Sequence, residues 1–406
     1  MIISLSWRNV WRNKLRSSVI LSAVGIGIFA GVFTWAFYAG MVHQRIETAI
    51  STEASNIQIH PVHYLEDPHV KNYIENSDKI INNISKYPEV KGVSGRVLIS
   101  AMIMSAEQGT GVLVMGVDPE KEKSVTNIYT KITDGAYFEG IKRNPIVLGR
   151  KLADKLKLKV RSKVVVTLQQ LDGTIVKDQF RVAGIYDISN SMYEEMYVFV
   201  RSKDLSQLIQ IDPSASHEIA VKLYDNQLED QVFAKIKSDY PAYDVKLWRE
   251  LMPEVSLVED TMDISMIFIM VIILFGLCLA IINTMLMAVL ERVKEIGMLM
   301  AIGMNRKRVF SMIVMETIFL TITGTVVGII TASIISIIFN HVGIDLASGK
   351  AAYESMGYDT MVYPIISLKI IVEVTIMVII ASLLSAIYPS IKALKLKPAE
   401  AIRSDV

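Results

Sequence analysis

One cysteine in 406 residues excludes any intrachain disulfide, so burial and hydrogen bonding must hold the fold together. That residue, Cys278, lies inside an apolar run and reads as a small core side chain. Histidine is nearly as scarce. Of the six, only His60, His63 and His69 fall together, with Asp67, beside Pro61 and Pro68; their spacing is that of no recognised metal site and reads as a solvated loop. An excess of one charge is missing too: 42 Lys and Arg against 41 Asp and Glu leave a net +1, which offers no concentrated basic face for nucleic acid. There is no H-E-x-x-H and no G-x-S-x-G, the spacings that serve zinc hydrolysis and serine nucleophiles. Residues 343–350 superficially resemble a phosphate-binding loop. Five residues rather than four separate Gly343 from Gly349-Lys350, however, and Ala351 stands where a Ser or Thr would hold the metal. No catalytic residue, metal or cofactor is therefore expected in this chain.

Long apolar runs are abundant. Four occur, at 17–42, 265–290, about 313–339 and about 370–389. A bilayer core of roughly 30 Å needs about 20 apolar residues in a helix, and hydrocarbon forces the backbone to satisfy its own hydrogen bonds, so each reads as a membrane helix. The first far exceeds the roughly 7–15 residues of a signal-peptide core, which makes it an uncleaved anchor. Lys and Arg resist translocation. Arg8, Arg12, Lys14 and Arg16 precede the first run; Arg292, Lys294, Arg306, Lys307 and Arg308 lie between the second and third; Lys392, Lys395, Lys397 and Arg403 follow the fourth. Both termini and the loop at 291–308 are thus expected in the cytoplasm. The fold class that follows is an α-helical membrane protein, four helices in a 1+3 arrangement, with a large α+β extracytoplasmic domain inserted between the first and second.

The expected layout is an interfacial helix at 1–16, spans at 17–42, 263–290, 309–340 and 364–389, an outer domain with stalks at 43–262, a loop element at 291–308, an external loop at 341–363 and a tail at 390–406. Trp7, Trp11 and Leu15 recur every fourth residue beside Arg8, Arg12 and Arg16, as on a helix lying at headgroup depth. Phe29, Phe33 and Phe37, followed by Met41, form a stripe on the first span, and Met262, Met266 and Met270 form another at the start of the second; an acyl chain would fit against either. Gly27 and Gly31 lie on another face of the first span. Glu316 and Glu373 stand near Arg308 and Lys369 and read as snorkelling groups rather than a proton path. In the outer domain, alternating runs at 163–170 and 175–185 flank Leu171, Asp172 and Gly173, and Asp-Gly predicts a two-residue type I′ hairpin.

The densest signal is Glu291 to Arg308. A charged helical stretch with Gly297 and Gly303 between two spans suits a docking element: the charges select a partner, and the glycines permit reversal and close backbone approach. The run E-R-x-x-E-I-G-x-x-x-A-I-G-x-x-R resembles the coupling-helix signature of FtsX-like ABC permeases, the superfamily that includes MacB and the lipoprotein-releasing permeases LolC and LolE. W-R-N-x-x-R-N-K-L-R-S at 7–17 and the run from Tyr388-Pro389 to P-A-E-A-I-R at 398–403 are similar to that superfamily's other two cytoplasmic signatures. The runs at 116–122, 149–160 and 180–186, with Trp248 and Pro253, resemble the lipoprotein-releasing branch.

The resemblance implies a permease subunit with ATPase-coupling residues Glu291, Arg292, Glu295, Ile296, Gly297, Ala301, Ile302, Gly303 and Arg306. It further implies an inner-membrane location, a partner ATPase present in two copies that binds ATP and Mg, and a second permease copy or homologue. A lipoprotein substrate and a periplasmic lipoprotein carrier complete the implied set. The family's carrier-binding hook is a longer, proline-containing insertion, whereas this chain has only the short hairpin at Leu171, Asp172 and Gly173. MacB-like mechanotransmission efflux, usually with a fused ATPase, and FtsX-like signalling to cell-wall hydrolases are the alternatives implied. An anchored scaffold that needs no ATP is a third.

Overall fold

The computed structural model describes residues 7–8, 11–12 and 14–394. The expectations for the C-terminal signature beyond Leu394 and for most of the N-terminal helix lie outside these residues. The described chain forms two compact units. One comprises the chain up to Val42, Asp260–Asp345 and the chain from Met361; the other comprises His43–Glu259 and Leu346–Thr360.

Among the described residues four helices are long and apolar enough to cross a membrane. The first runs Lys14–Thr48, so Lys14 and Arg16 belong to it rather than to a separate interfacial helix. The second is Pro253–Glu291, the third Arg306–Val342 and the fourth Leu368–Leu394. All but the last begin well before or run past their apolar cores, because an α-helix pairs its backbone internally whatever its side chains. The fourth passes through Pro389 instead of ending there; the apolar packing of Ala393 and Leu394 holds the final turn despite the lost backbone donor.

Close approach is concentrated on small residues. Met270 of the second helix packs where a side chain on Gly31 would stand, and a side chain on Gly328 of the third would strike Ile28. The third helix presents Thr317, Thr321, Gly324, Gly328, Ala332 and Ser336 on one buried stripe. Gly324 and Gly328 are the small pair that this helix interface uses, although Gly27 and Gly31 are equally visible in the sequence.

The other unit is built on a ten-strand sheet among the described residues. Its strands are β1 (Ile57–His60), β2 (Val90–Met104), β3 (Gly109–Val117), β4 (Ile132–Gly135), β5 (Pro145–Gly149), β6 (Lys163–Gln169), β7 (Ile175–Tyr186), β8 (Tyr197–Arg201), β9 (Glu218–Leu223) and β10 (Asp244–Leu247). Strand order is β10-β1-β9-β2-β3-β8-β5-β7-β4, and β6 joins β7 back to β2. That last pairing closes β2, β3, β8, β5, β7 and β6 into a ring, which leaves those strands no free edge. Val114, Ile146, Val166, Phe180, Val182 and Val198 fill it. The flat part, β10-β1-β9 with the start of β2, carries helices Ser77–Ile84 and Glu229–Asp239 over a separate apolar core containing Ile84, Ile219, Val232 and Ile236.

The α+β expectation thus describes this unit, but β4, β5 and β9 are strands that the alternation did not single out. The segment 346–360, expected as a plain external loop, belongs to this unit and contains helix Lys350–Ser355. Its Glu354 accepts from Lys151 at 2.9 Å.

Strand β2 leaves the flat sheet for the ring at Arg96, which is 1% exposed. Its guanidinium donates to Glu122 at 2.7 Å and to Glu218 at 2.6 Å. Burial disfavours the charge, but the two carboxylates outweigh burial and hold Arg96 protonated. Glu194 is buried as well. Its oxygens accept from the backbone N–H groups of Ile188 (2.6 Å) and Lys151 (3.1 Å), yet burial pushes its pKa up to about 7.

The folded state therefore retains a proton on Glu194 that the unfolded chain, near the ordinary 4.5, releases. The resulting stability is full below pH 4.5 and is lost as pH rises through about 7. Thermal unfolding of the purified protein across that window should show a steeper decline for wild type than for Glu194→Gln; parallel curves would contradict the assignment.

Candidate functional site

The reversal between the second and third membrane helices is set by three consecutive residues. Helix Val293–Ala301 ends where Met304 N donates to Leu299 O (3.0 Å) and Gly303 N to Met300 O (3.1 Å), the paired bonds of a Schellman motif. Gly303 takes φ +101°, a conformation that a side chain would strain. Two residues on, the Asn305 side chain accepts from Lys307 N at 3.1 Å and caps the third helix. Gly297, expected to interrupt the element, instead lies inside the short helix and is buried, because the break needs a left-handed residue only at Gly303. The expected 291–308 element thus resolves into a nine-residue helix between two turns.

This helix has two sides. Inward, Ile296 is buried, and Arg292 donates from Nε to Glu295 at 2.9 Å and from Nη1 to Glu316 of the third membrane helix at 3.3 Å. Arg12, near the N-terminus, donates to the other oxygen of Glu295. Burial opposes ionisation of Glu295, but Arg292 and Arg12 outweigh it and hold the carboxyl below its usual range. The Trp7 ring stands edge-on to Phe319, 5.4 Å between centroids. The N-terminal stretch, the short helix and the third membrane helix are therefore tied by one relay: Arg12 to Glu295, Arg292 to Glu295 and Glu316. Outward, Met298, Ala301, Gly303 and Arg306 are exposed, with Ile302 80% exposed. Glu291, the last residue of the second helix, is exposed as well. An exposed Ile beside charged residues is the composition of a partner-binding face.

The other predicted residues fall elsewhere. Met266 and Met270 are 2% exposed and pack with Val32 and Trp35 in the core of the membrane unit. Phe29 and Phe33 stack at 5.6 Å, and Phe33 meets Phe339 edge-on at 6.1 Å. Phe37, Met41 and Met262 are half-buried. Since Met270 sits on Gly31 and helical residues advance by about 100°, the phenylalanine stripe points away from the methionines. The structure does not bring the two stripes onto one surface.

The hairpin also differs from expectation. Gln170 N donates to Thr174 O (2.9 Å), so the loop has three residues, Leu171, Asp172 and Gly173. Only Gly173 has positive φ, +92°; a type I′ turn would need Asp172 there too. Asp172 instead accepts from Thr174 N and Oγ1, bonds that hold its carboxyl below the usual range. The histidine group is dispersed. His60 is buried on β1, His63 meets Glu66 at 3.1 Å, and His69 Nδ1 accepts from Lys71 N.

Residues 17–239 match the MacB-like periplasmic core domain family, and residues 267–398 match the FtsX-like permease C-terminal family. The chain belongs to the FtsX-like and MacB permease family. This permease is 20% identical over 334 residues to the lipoprotein-releasing system transmembrane protein LolE of Haemophilus influenzae, covering 79% of each chain. With LolC of Neisseria meningitidis serogroup B it shares 24% over 373 residues, 83% of this chain and 85% of the other. The macrolide export ATP-binding/permease protein MacB of Neisseria gonorrhoeae matches at 33% over 104 residues, 25% of this chain and 16% of its own. The permease is accordingly a membrane subunit of the ABC transporter class, whose permeases work with ATPase partners.

Removing Arg292 would leave Glu316 without that partner in a buried site. Arg292→Ala should destabilise the solubilised permease by about 1.5–3 kcal/mol, the worth of a hydrogen bond to a charged group, while Arg292→Met with Glu316→Met should recover most of the loss. Equal unfolding temperatures for the single variant and wild type would show that the relay carries no stability.

Proposed function

We propose that this permease couples ATP hydrolysis by a separate ATPase to the extraction of lipid-anchored lipoproteins from the inner membrane; its relatives LolE and LolC are named as transmembrane proteins of a lipoprotein-releasing system. The observation that carries this reading is the extent of likeness: about four-fifths of both chains for LolE and LolC, against a quarter of this chain for MacB.

In this reading the ATPase docks on Met298, Ala301, Ile302 and Gly303 at the cytoplasmic face. Its closure moves the short helix, and the Arg292–Glu316 pair passes the movement to the third membrane helix. The termini lie in the cytoplasm, as the Lys and Arg bias implies. Two permeases, identical or homologous, sit on two ATPases that bind ATP and Mg. The half-exposed Phe29, Phe33 and Phe37 face offers acyl chains a lateral path. Extraction costs about 0.8 kcal/mol per CH₂, so a multiply acylated anchor exceeds what ordinary binding supplies and requires work from ATP.

Ile302→Glu, at an exposed position, should abolish co-purification of the ATPase and stop lipoprotein release from spheroplasts while leaving permease levels intact. Phe33→Glu should stop release alone. Release that persists in cells lacking this chain would refute the reading, and an attached cell-wall hydrolase without acylated cargo would favour signalling.

A further inference from the structure

The unit carrying the sheet holds a cavity of about 660 Å³, within the size range of small-molecule sites. No expected function residue lines it. Its mouth is methionine-rich: Met192 and Met196, one helical turn apart, with Met252 and Met356. Met192 and Met356 are 66% and 69% exposed, costly positions for apolar side chains unless something covers them. One wall is the π-helical turn Ala49–Glu53, a rare backbone form that recurs at functional sites. It places Glu53 beside Arg45, at 3.0 Å, and the Asn190 amide donates to the same carboxylate at 3.0 Å.

The polar groups of the lining favour one ligand charge. Both arginines are already engaged, Arg45 by Glu53 and Arg96 by Glu122 and Glu218. Four carboxylates, Glu53, Glu122, Glu218 and Glu254, stand in or against the wall opposite two guanidinium groups, which leaves the surroundings negative. His60 is 1% exposed and lines the cavity, stacked on Tyr64 with ring centroids 5.6 Å apart. The Gln58 amide N donates to Ala54 O, so its carbonyl accepts from His60 Nε2 at 2.9 Å, and the His217 backbone stands beside the ring. Burial lowers the His60 pKa and keeps the ring neutral. An apolar mouth thus leads to aromatic rings and carboxylates, with no free cation among the lining residues.

We propose that this cavity binds a cationic amphiphile: an alkyl or aromatic body against the methionines, with an ammonium group facing the Tyr64, Tyr193 and Tyr197 rings and the Glu53 and Glu218 carboxylates. Such a ligand neutralises the excess charge of the wall. A fatty acid would bring a carboxylate against Glu53 and Glu218 and is disfavoured. The proposal stands independently of lipoprotein release.

The test uses full-length permease in nanodiscs and a photoreactive diazirine derivative of dodecylamine, with cross-links mapped by peptide mass spectrometry. Labels are expected on the peptides carrying Met192, Met196 and Met356, displaced by dodecylamine at concentrations about tenfold lower than by laurate. Tyr197→Leu should weaken displacement by about tenfold, the worth of one desolvated cation–π contact. Met196→Trp, at a half-exposed mouth position, should block labelling without lowering the unfolding temperature. Labels confined to the membrane helices, or equal displacement by laurate, would overturn the proposal. Lipoprotein release that persists in the Met196→Trp variant would leave it standing, because the site is read by labelling alone.

Discussion

Taking a guanidinium out of water is among the costliest steps available to a folding chain, and this protein does it in both of its compact units. Arg96 lies wholly inside the sheet unit between Glu122 and Glu218, and Arg292 lies against the membrane helices between Glu295 and Glu316. A buried pair of this kind adds little net stability over apolar packing, because desolvation consumes the attraction, but a missing partner is severely penalised. Each arginine consequently dictates geometry. Around Arg96, β2 must turn from one sheet into the ring where β9 and the turn after β3 both offer a carboxylate. Around Arg292, the short helix must sit where Glu316 can reach it.

The membrane unit follows a second constraint of the same origin. Apolar helices gain nothing by leaving lipid for one another, so their association depends on close packing, and the close contacts fall on Gly31, Gly324 and Gly328. The inter-span element combines both principles: an apolar and ionic inner side that fixes it to the helices, and an outer side on which Ile302 is exposed.

In the sheet unit, the same ion pairs that stabilise the fold shape the cavity. Arg45 and Glu53 form one wall and Arg96 with Glu218 part of the floor, so the lining is charged yet already paired.

What the sequence determined by itself was everything governed by local rules. Four helices were legible because hydrocarbon leaves the backbone no other partner. The loop reversal was legible because Gly303 marks a turn, although Gly297, equally visible, lies inside the helix. The hairpin was half legible: Gly173 marked a turn, but whether Asp172 adopts positive φ depends on Thr174 and on the register of β6, and no dipeptide encodes that. The remainder was decided by tertiary structure, because its determinants are remote along the chain. Glu122 and Glu218 stand 26 and 122 residues from Arg96, β6 closes the ring only by meeting β2, and the cavity joins residues from Arg45 to Met356. Contacts at such separations leave no periodicity to read. They exist only once loop closure has been offset by burial, and only the folded chain shows which of many possible pairings achieved it.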